Sequence, residues 1–460
     1  MTYDVQIPGG PATLDMTEAA VAQAPTRAVP VRIPTARYTA PEFFDREVRD
    51  LWPRTCQLAC TVDHVSEPGD FYEHRVGTLS ILIVRGDDGE LRAFQNVCRH
   101  RGAELCSGAG EGLQELRCPF HRWTWGLDGR LREVPSRREF GVRNDDYPLF
   151  VASVGTWGPL VFVNGDPDAT TTQPLAEFLD PVPREAAWSR IDDWRCTAVV
   201  SMRQECNWKT LIEAFSETYH VQGIHREMLG MADDVHGPEV LWARHGRLVQ
   251  SYGVQSPRVG RVLDDAEVYR SFIEVMGGRM GIEDLDAPLP SIAEGATLRD
   301  VLAAQIVEHH RTQGIELGDF TTEQLLDLEQ YNLFPNITVL FFADMLSIVR
   351  SRPGAHVEEA FMDGFFFRRV NPGDPSPRTK PYAVDLDAGD EPPFGLVLNQ
   401  DVRNFVQSQR GLHQPGLEHL TVSPTAECRI VNLHRNLERA LGINPTEMPG
   451  LVENGLELPR

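Results

Sequence analysis

The sequence predicts an α+β protein: a small all-β domain followed by a larger domain in which helices fold over an antiparallel sheet. Three observations lead there. Residues 52–164 carry short strand-like runs separated by turn signals such as Gly86-Asp87-Asp88-Gly89 and Asp128-Gly129. Residues 165–185 are rich in Asp, Pro and Thr, the composition of a boundary. Beyond them, strand-like runs alternate with polar, amphipathic helical stretches. At 460 residues the chain also exceeds what a single core supports.

Taken in order, residues 1–45 are rich in Pro, Ala and Thr and read as an N-terminal arm. A short helix is expected over 40–51, where Pro41 suits a first turn. Strands are expected at 71–76, 79–85, 91–97, 123–127, 130–133, 149–154 and 160–163, which sets the first domain at 46–168. In the second, 169–460, residues 194–205 alternate as a strand. Residues 208–219 have helical apolar spacing at Trp208, Leu211, Ile212, Phe215 and Tyr219. Residues 240–252, 337–350 and 359–370 read as strands, 260–332 as largely helical, and 396–412 and 445–454 as terminal helices.

Composition excludes several functions. Lysine plus arginine is 44 against 67 acids, a net charge of −23 that argues against nucleic acid or an anionic membrane as partner. Eight cysteines in so long a chain do not make a disulfide framework. The N-terminus lacks a basic, then apolar, leader. The most apolar run, 337–349, is too short to span a bilayer and contains Asp344. A soluble, cytoplasmic protein is expected.

The chemistry starts at Cys98-Arg99-His100 and, seventeen residues on, Cys118-Pro119-Phe120-His121. Two Cys-and-His pairs on separate loops suit a tetrahedral zinc or a [2Fe–2S] cluster with two thiolates on one iron and two imidazoles on the other. The flanks favour the cluster: His100-Arg101-Gly102 supplies a tight turn, and Phe120 and Trp123 supply apolar cover.

A second constellation runs from Asn207 to His225. On a continuous helix Glu213, Glu217 and His220 would share one face, a costly arrangement unless they bind something. His225 lies five residues past His220, about 140° away on a straight helix. The two share a metal only if the helix breaks between them, and Gly223 is the expected place.

C-x-H-R-G followed by C-P-x-H-x-W resembles the cluster loops of Rieske non-haem iron oxygenases. The 207–225 stretch resembles that family's N-W-K-x₃-E-x-F-x-[DE]-x-Y-H-x₄-H segment, and 400–412 its x-D-x₇-Q-R-G-L segment. The resemblance implies a helix-grip catalytic domain. It implies that Cys98, His100, Cys118 and His121 hold a Rieske [2Fe–2S] cluster, and that His220, His225 and Asp401 hold a mononuclear Fe(II) that activates O₂. Glu217 matches the acid linking the two centres across a subunit boundary; most relatives have Asp there, and Glu occurs in some quaternary-amine monooxygenases. The extra cysteines of respiratory Rieske proteins are replaced by Ala103 and Phe120.

The family's activity is hydroxylation of a small organic substrate. An aromatic or polycyclic substrate is expected first, and monooxygenation or demethylation of a quaternary amine or methoxy compound is the alternative. A zinc-ribbon binding protein is the remote rival. No dinucleotide fingerprint follows a strand, since Gly108, Gly110 and Gly112 fall inside the cluster loops. Electrons from NAD(P)H therefore require a separate reductase and/or ferredoxin. A homotrimer is implied, with or without a small β subunit. From Arg92 to Arg143 ten arginines face six acids, a locally positive surface suited to an acidic donor or simply to solvent.

Overall fold

The computed structural model describes residues 29–166, 168 and 173–443. The first domain is built on a seven-stranded antiparallel sheet in the order Gln57–Thr61, Leu160–Asn164, Val151–Trp157, Leu91–Gln95, Leu79–Arg85, Phe71–Val76, Ala109–Gly110. Successive side chains of a strand point to opposite faces. Ile81 and Ile83 accordingly join a core with Ala93, Val161 and Val163, while Leu82 and Val84 join another with Phe94, Trp123 and Trp125. Cys98 and Cys118 belong to the second core. The expected strands 71–76 and 79–85 coincide with the observed ones. Gln57–Thr61 was not expected; all five of its residues are buried, so it lacks the alternation of a half-exposed strand.

The second domain carries an eight-stranded sheet ordered Glu239–Leu241, Gly246–Ser251, Asp327–Leu333, Ile337–Phe341, Leu346–Pro353, Ala360–Arg369, Trp194–Gln204, Tyr382–Leu386. All neighbours are antiparallel except Tyr382–Leu386, which runs parallel to Trp194–Gln204. Two expected strands divide: 337–350 is a hairpin turning at 342–345, and 240–252 is two strands. The expected helical region 260–332 contains helices Asp265–Met276 and Leu298–Thr312, each opened by a capping box, but ends in strand Asp327–Leu333. Helix Leu396–Leu412 is as expected. Helix Cys428–Leu441 was missed, although Ile430, Leu433, Leu437 and Leu441 repeat at helical spacing. The expected helix 445–454 and most of the arm lie outside the described residues.

Helix Trp208–Ala214 is the hub. Leu211 packs with Val402 and Phe405 of helix Leu396–Leu412 and with Val200, Met202 and Met362 of the sheet. Trp208 and Ile212 pack instead with Phe43, Leu51 and Trp52 and with Leu433 and Leu437. Four segments distant in sequence thus close on one short helix.

Candidate metal centres

The two cysteine loops repeat one backbone device. Cys98 N–H donates to the Ala103 carbonyl and Gly102 N–H to the Cys98 carbonyl; Cys118 N–H donates to Trp123 and Arg122 N–H to Cys118. Gly102 and Arg122, each four residues past its cysteine, have φ of +80° and +63°. Only glycine takes that conformation without strain, so Arg122 is held there by its surroundings. Both cysteines are buried and the His100 and His121 rings stand 4.7 Å apart. The Nδ1 atoms of both rings are buried without a hydrogen-bond partner among the described residues. Burial holds the Cys98 thiol above its ordinary range, with neighbouring Cys118 acting in the same sense and the backbone N–H groups of His100 and Arg101 opposing. Two buried cysteines and two imidazole nitrogens buried without a partner on neighbouring loops are costly unless they bind metal, and the donor set fits a Rieske cluster. Trp123 stacks on His100 at 5.1 Å, 4° from parallel, and Phe140 stands edge-on to both rings.

The mononuclear site forms differently from expectation. The helix begins at Trp208, with Asn207 as its cap, and stops at Ala214 rather than 219. Gln330, Asn332 and Thr338 all donate to the Phe215 carbonyl and so terminate the helix from the sheet. Glu213, Glu217 and His220 therefore do not share a helical face, and Tyr219 is exposed. Gly223 is not the break. It lies within the single turn Val221–Ile224, which His220 and His225 bracket. That turn, rather than a kinked helix, brings the two imidazoles together with ring centroids 5.1 Å apart.

Asp401 closes the group. Its Oδ1 is 3.0 Å from His225 Nε2 and 3.8 Å from His220 Nε2, and ligand atoms of the three residues lie within 4.8 Å of one another. The outer ring nitrogens are held: Glu217 Oε1 accepts from His220 Nδ1 at 2.6 Å, and Gln400 Oε1 from His225 Nδ1 at 2.6 Å. Each bond fixes the tautomer that leaves Nε2 free for a metal. Glu217 Oε2 also accepts the His220 backbone N–H at 2.9 Å. Burial acts to lower the proton affinity of His220, but the Glu217 hydrogen bond and the charges of Glu217 and Asp401 prevail and hold its pKa above the ordinary value. Two imidazoles and one carboxylate on a single side fit Fe(II) with open positions.

The helix bearing Asp401 is fixed by Gln409, whose Oε1 accepts from Asn207 N–H at 3.0 Å and Thr210 Oγ1 at 3.3 Å. Lys209 and Trp208 both donate to the buried Glu47. Sequence reasoning assigned no role to Gln400 or Gln409; their places in the 400–412 segment were the available signal. Glu213 faces Tyr38 and His434 instead of the metal group. His220, His225 and Asp401 stand on the wall of a cavity of about 310 Å³ lined mostly by Leu, Met, Val and Phe.

Comparison with known proteins matches both domains to described families. Residues 191–443, more than half of the chain, match the ring-hydroxylating alpha subunit catalytic domain, and residues 55–153 match the Rieske [2Fe–2S] domain. The carnitine monooxygenase oxygenase subunit of Acinetobacter pittii is 31% identical over 224 residues, 48% of this chain and 58% of that protein. The glycine betaine monooxygenase oxygenase subunit of Pseudomonas aeruginosa is 29% identical over 213 residues, 45% of this chain and 48% of that one. The chain thus spans about half the length of the curated relatives it matches. The fold resembles a quaternary ammonium Rieske monooxygenase in complex with L-carnitine (TM-score 0.61, 16% identity, covering 89% of this chain and 95% of that one). It equally resembles naphthalene 1,2-dioxygenase from Rhodococcus sp. bound to indole (TM-score 0.62, 18% identity, 89% and 94%). The chain belongs to the ring-hydroxylating alpha-subunit family, with a Rieske [2Fe–2S] domain preceding its catalytic domain.

Proposed function

We propose that the protein is the terminal oxygenase component of a Rieske non-haem iron system and monooxygenates a small organic substrate, by hydroxylation or oxidative demethylation. The observation that carries this reading is the His220–His225–Asp401 group on the wall of an apolar cavity. When bound, a Rieske cluster supplies single electrons and Fe(II) with open positions supplies O₂ activation. Cys98, His100, Cys118 and His121 would hold the first; His220, His225 and Asp401 would hold the second. Glu217 orients His220 and is the hydrogen-bonding link toward a neighbouring subunit's cluster. The cavity's apolar wall excludes water from the reacting end of the substrate.

The reading divides the chain into an arm at 1–45, a cluster domain at 46–168 and a catalytic domain at 169–460. It calls for a reductase and/or ferredoxin, a homotrimer with or without a small β subunit, and a reducing cytoplasm, in keeping with eight free cysteines. Relatives named for monooxygenation support this over the aromatic substrate expected first. Ring dioxygenation stays as a second reading because the cavity lining is apolar. Turnover under ¹⁸O₂ with a surrogate reductase separates them. One labelled oxygen per product supports monooxygenation, two in a cis-diol support ring dioxygenation, and a colourless zinc protein rejects both.

A further inference from the structure

We infer that Ser347 sets how large a substrate the cavity admits, through a notch that its short side chain leaves in the sheet floor. This rests on the cavity being the substrate site of the proposed function.

Along strand Leu346–Pro353 side chains alternate between the two faces of the sheet. Leu346 and Ile348 enter the core on one face with Phe341 and Phe365. Ser347 and Val349 therefore point the other way, toward the helix that carries Asp401. Val349 is packed there, with Phe215 and with Val402 and Phe405 of helix Leu396–Leu412. Two residues back along the same face, about 7 Å away, Ser347 lines the cavity. The floor is filled at Val349 and open at Ser347.

The neighbours across the strands make that opening local. Leu340 stands opposite Ser347 on one side and Phe366 on the other, and Phe394 stacks on Phe366 at 6.3 Å. Ser347 is the smallest of the strand residues on the cavity wall and lies between two larger ones. It is 8% exposed, and its hydroxyl makes no hydrogen bond among the described residues. The wall's other polar side chains are engaged or stand elsewhere. Glu217, His220, His225 and Asp401 form the metal group, Thr218 donates to the Asp234 carbonyl and Gln330 to that of Phe215. Gln250 and Tyr252 belong to strand Gly246–Ser251 and its end, three strands away. Ser347 thus has no bond to lose, and what it gives the cavity is room. A hydrophobic site discriminates by fit, and a single methylene more or less changes affinity by about tenfold or more. A position that can gain heavy atoms without breaking a bond, between walls that are already bulky, is where that fit is set.

Equilibrium dialysis of the oxidised holoprotein tests this without turnover, with indane and fluorene (the same skeleton with one more fused ring) as probes. Wild type should hold fluorene more tightly than indane, because the larger hydrocarbon buries more apolar surface. Ser347→Leu should weaken fluorene by at least about tenfold and indane by less than about threefold. Ser347→Val should fall between the two and covers the case in which the leucine variant fails to fold. Ser347→Ala removes the hydroxyl, keeps the room, and should keep the wild-type ratio of the two affinities. Cluster absorbance and iron content report that each variant retains its metal sites. Fluorene binding unchanged in the leucine and valine variants, both probes weakened alike, or an alanine variant that behaves like the leucine one overturns the inference. If neither probe binds wild type while ¹⁸O₂ labels a product of another substrate, the inference fails and the oxygenase reading stands. If the probes follow the expected pattern and no substrate is ever labelled, the role of Ser347 stands and the oxygenase reading fails.

Discussion

The two candidate metal sites use the same residue type in opposite ways. At the cysteine loops, His100 and His121 bury Nδ1 and leave it without a partner among the described residues. At the second site, Nδ1 of His220 and of His225 is occupied by Glu217 and Gln400, and Nε2 faces Asp401. The first site is held by packing: Trp123 and Phe140 fix the His100 ring by contact. The second is held by hydrogen bonds to the side of each ring turned from the metal. A packed site tolerates no change of ligand, whereas a hydrogen-bonded one can lose tuning before it loses metal.

The largest effects follow from removing a ligand. Cys118→Ser should abolish the cluster, so the visible absorbance and the rhombic EPR signal of the reduced protein disappear while mononuclear iron stays. An unchanged signal rejects the assignment. Asp401→Ala should do the reverse. Two imidazoles alone bind Fe(II) poorly, so mononuclear iron should drop below about one tenth of wild type with the cluster spectrum intact. Full iron content in that variant would mean that another acid is the third ligand.

The next pair separates the two hydrogen bonds of the second site. Gln400→Leu leaves His225 Nδ1 without its acceptor and should weaken Fe(II) binding by about 10- to 100-fold, the usual cost of losing a partner behind a ligand. Glu217→Gln keeps an acceptor for His220 and should retain both metals, yet lose most product formation if Glu217 links the centres. Iron content by metal analysis and the rate of cluster oxidation on adding substrate and O₂ distinguish these. Loss of iron in Glu217→Gln, or cluster oxidation at the wild-type rate, would remove that role.

The contrast also explains what was legible in sequence. The four cluster residues lie within 24 positions on two loops whose turns are local, so spacing alone brings them together. Asp401 is 176 residues from His225, and only a resemblance pointed to it. Nothing local announces that Phe215 ends its helix, because the groups that cap its carbonyl come from strands 115 to 123 residues away. Periodicity therefore ran the helix on to Tyr219 and placed three polar residues on a face that does not exist. Helix Leu396–Leu412 was found because its buried Val402, Phe405 and Leu412 keep helical spacing. Strand Gln57–Thr61 was missed because it is buried on both faces and shows no alternation.

The smallest expected effect lies behind the second site, on the side of helix Trp208–Ala214 turned from the metal group. Glu213 Oε1 accepts from Tyr38 Oη at 2.7 Å and from His434 Nε2 at 2.8 Å. Arg37 donates to His434 Nδ1 at 3.1 Å, which places the imidazole proton on Nε2. Burial pushes the Glu213 carboxyl up to about 8, against the hydrogen bond from Tyr38 and the charges of Lys209 and Arg37. Its folded pKa is thus above its unfolded one. The stability it contributes is fully present below the unfolded value, where both states hold the proton, and is lost as pH rises through about 8. Glu213→Gln keeps the accepting oxygen and has no proton to lose. It should melt close to wild type at pH 4.5 and higher than wild type at pH 8.5, by on the order of 1–3 °C for a chain of this size. Differential scanning calorimetry of both proteins at the two pH values reads the change directly. An equal offset at both would mean that Glu213 is ionised throughout and that the layer behind the metal group is charged rather than neutral.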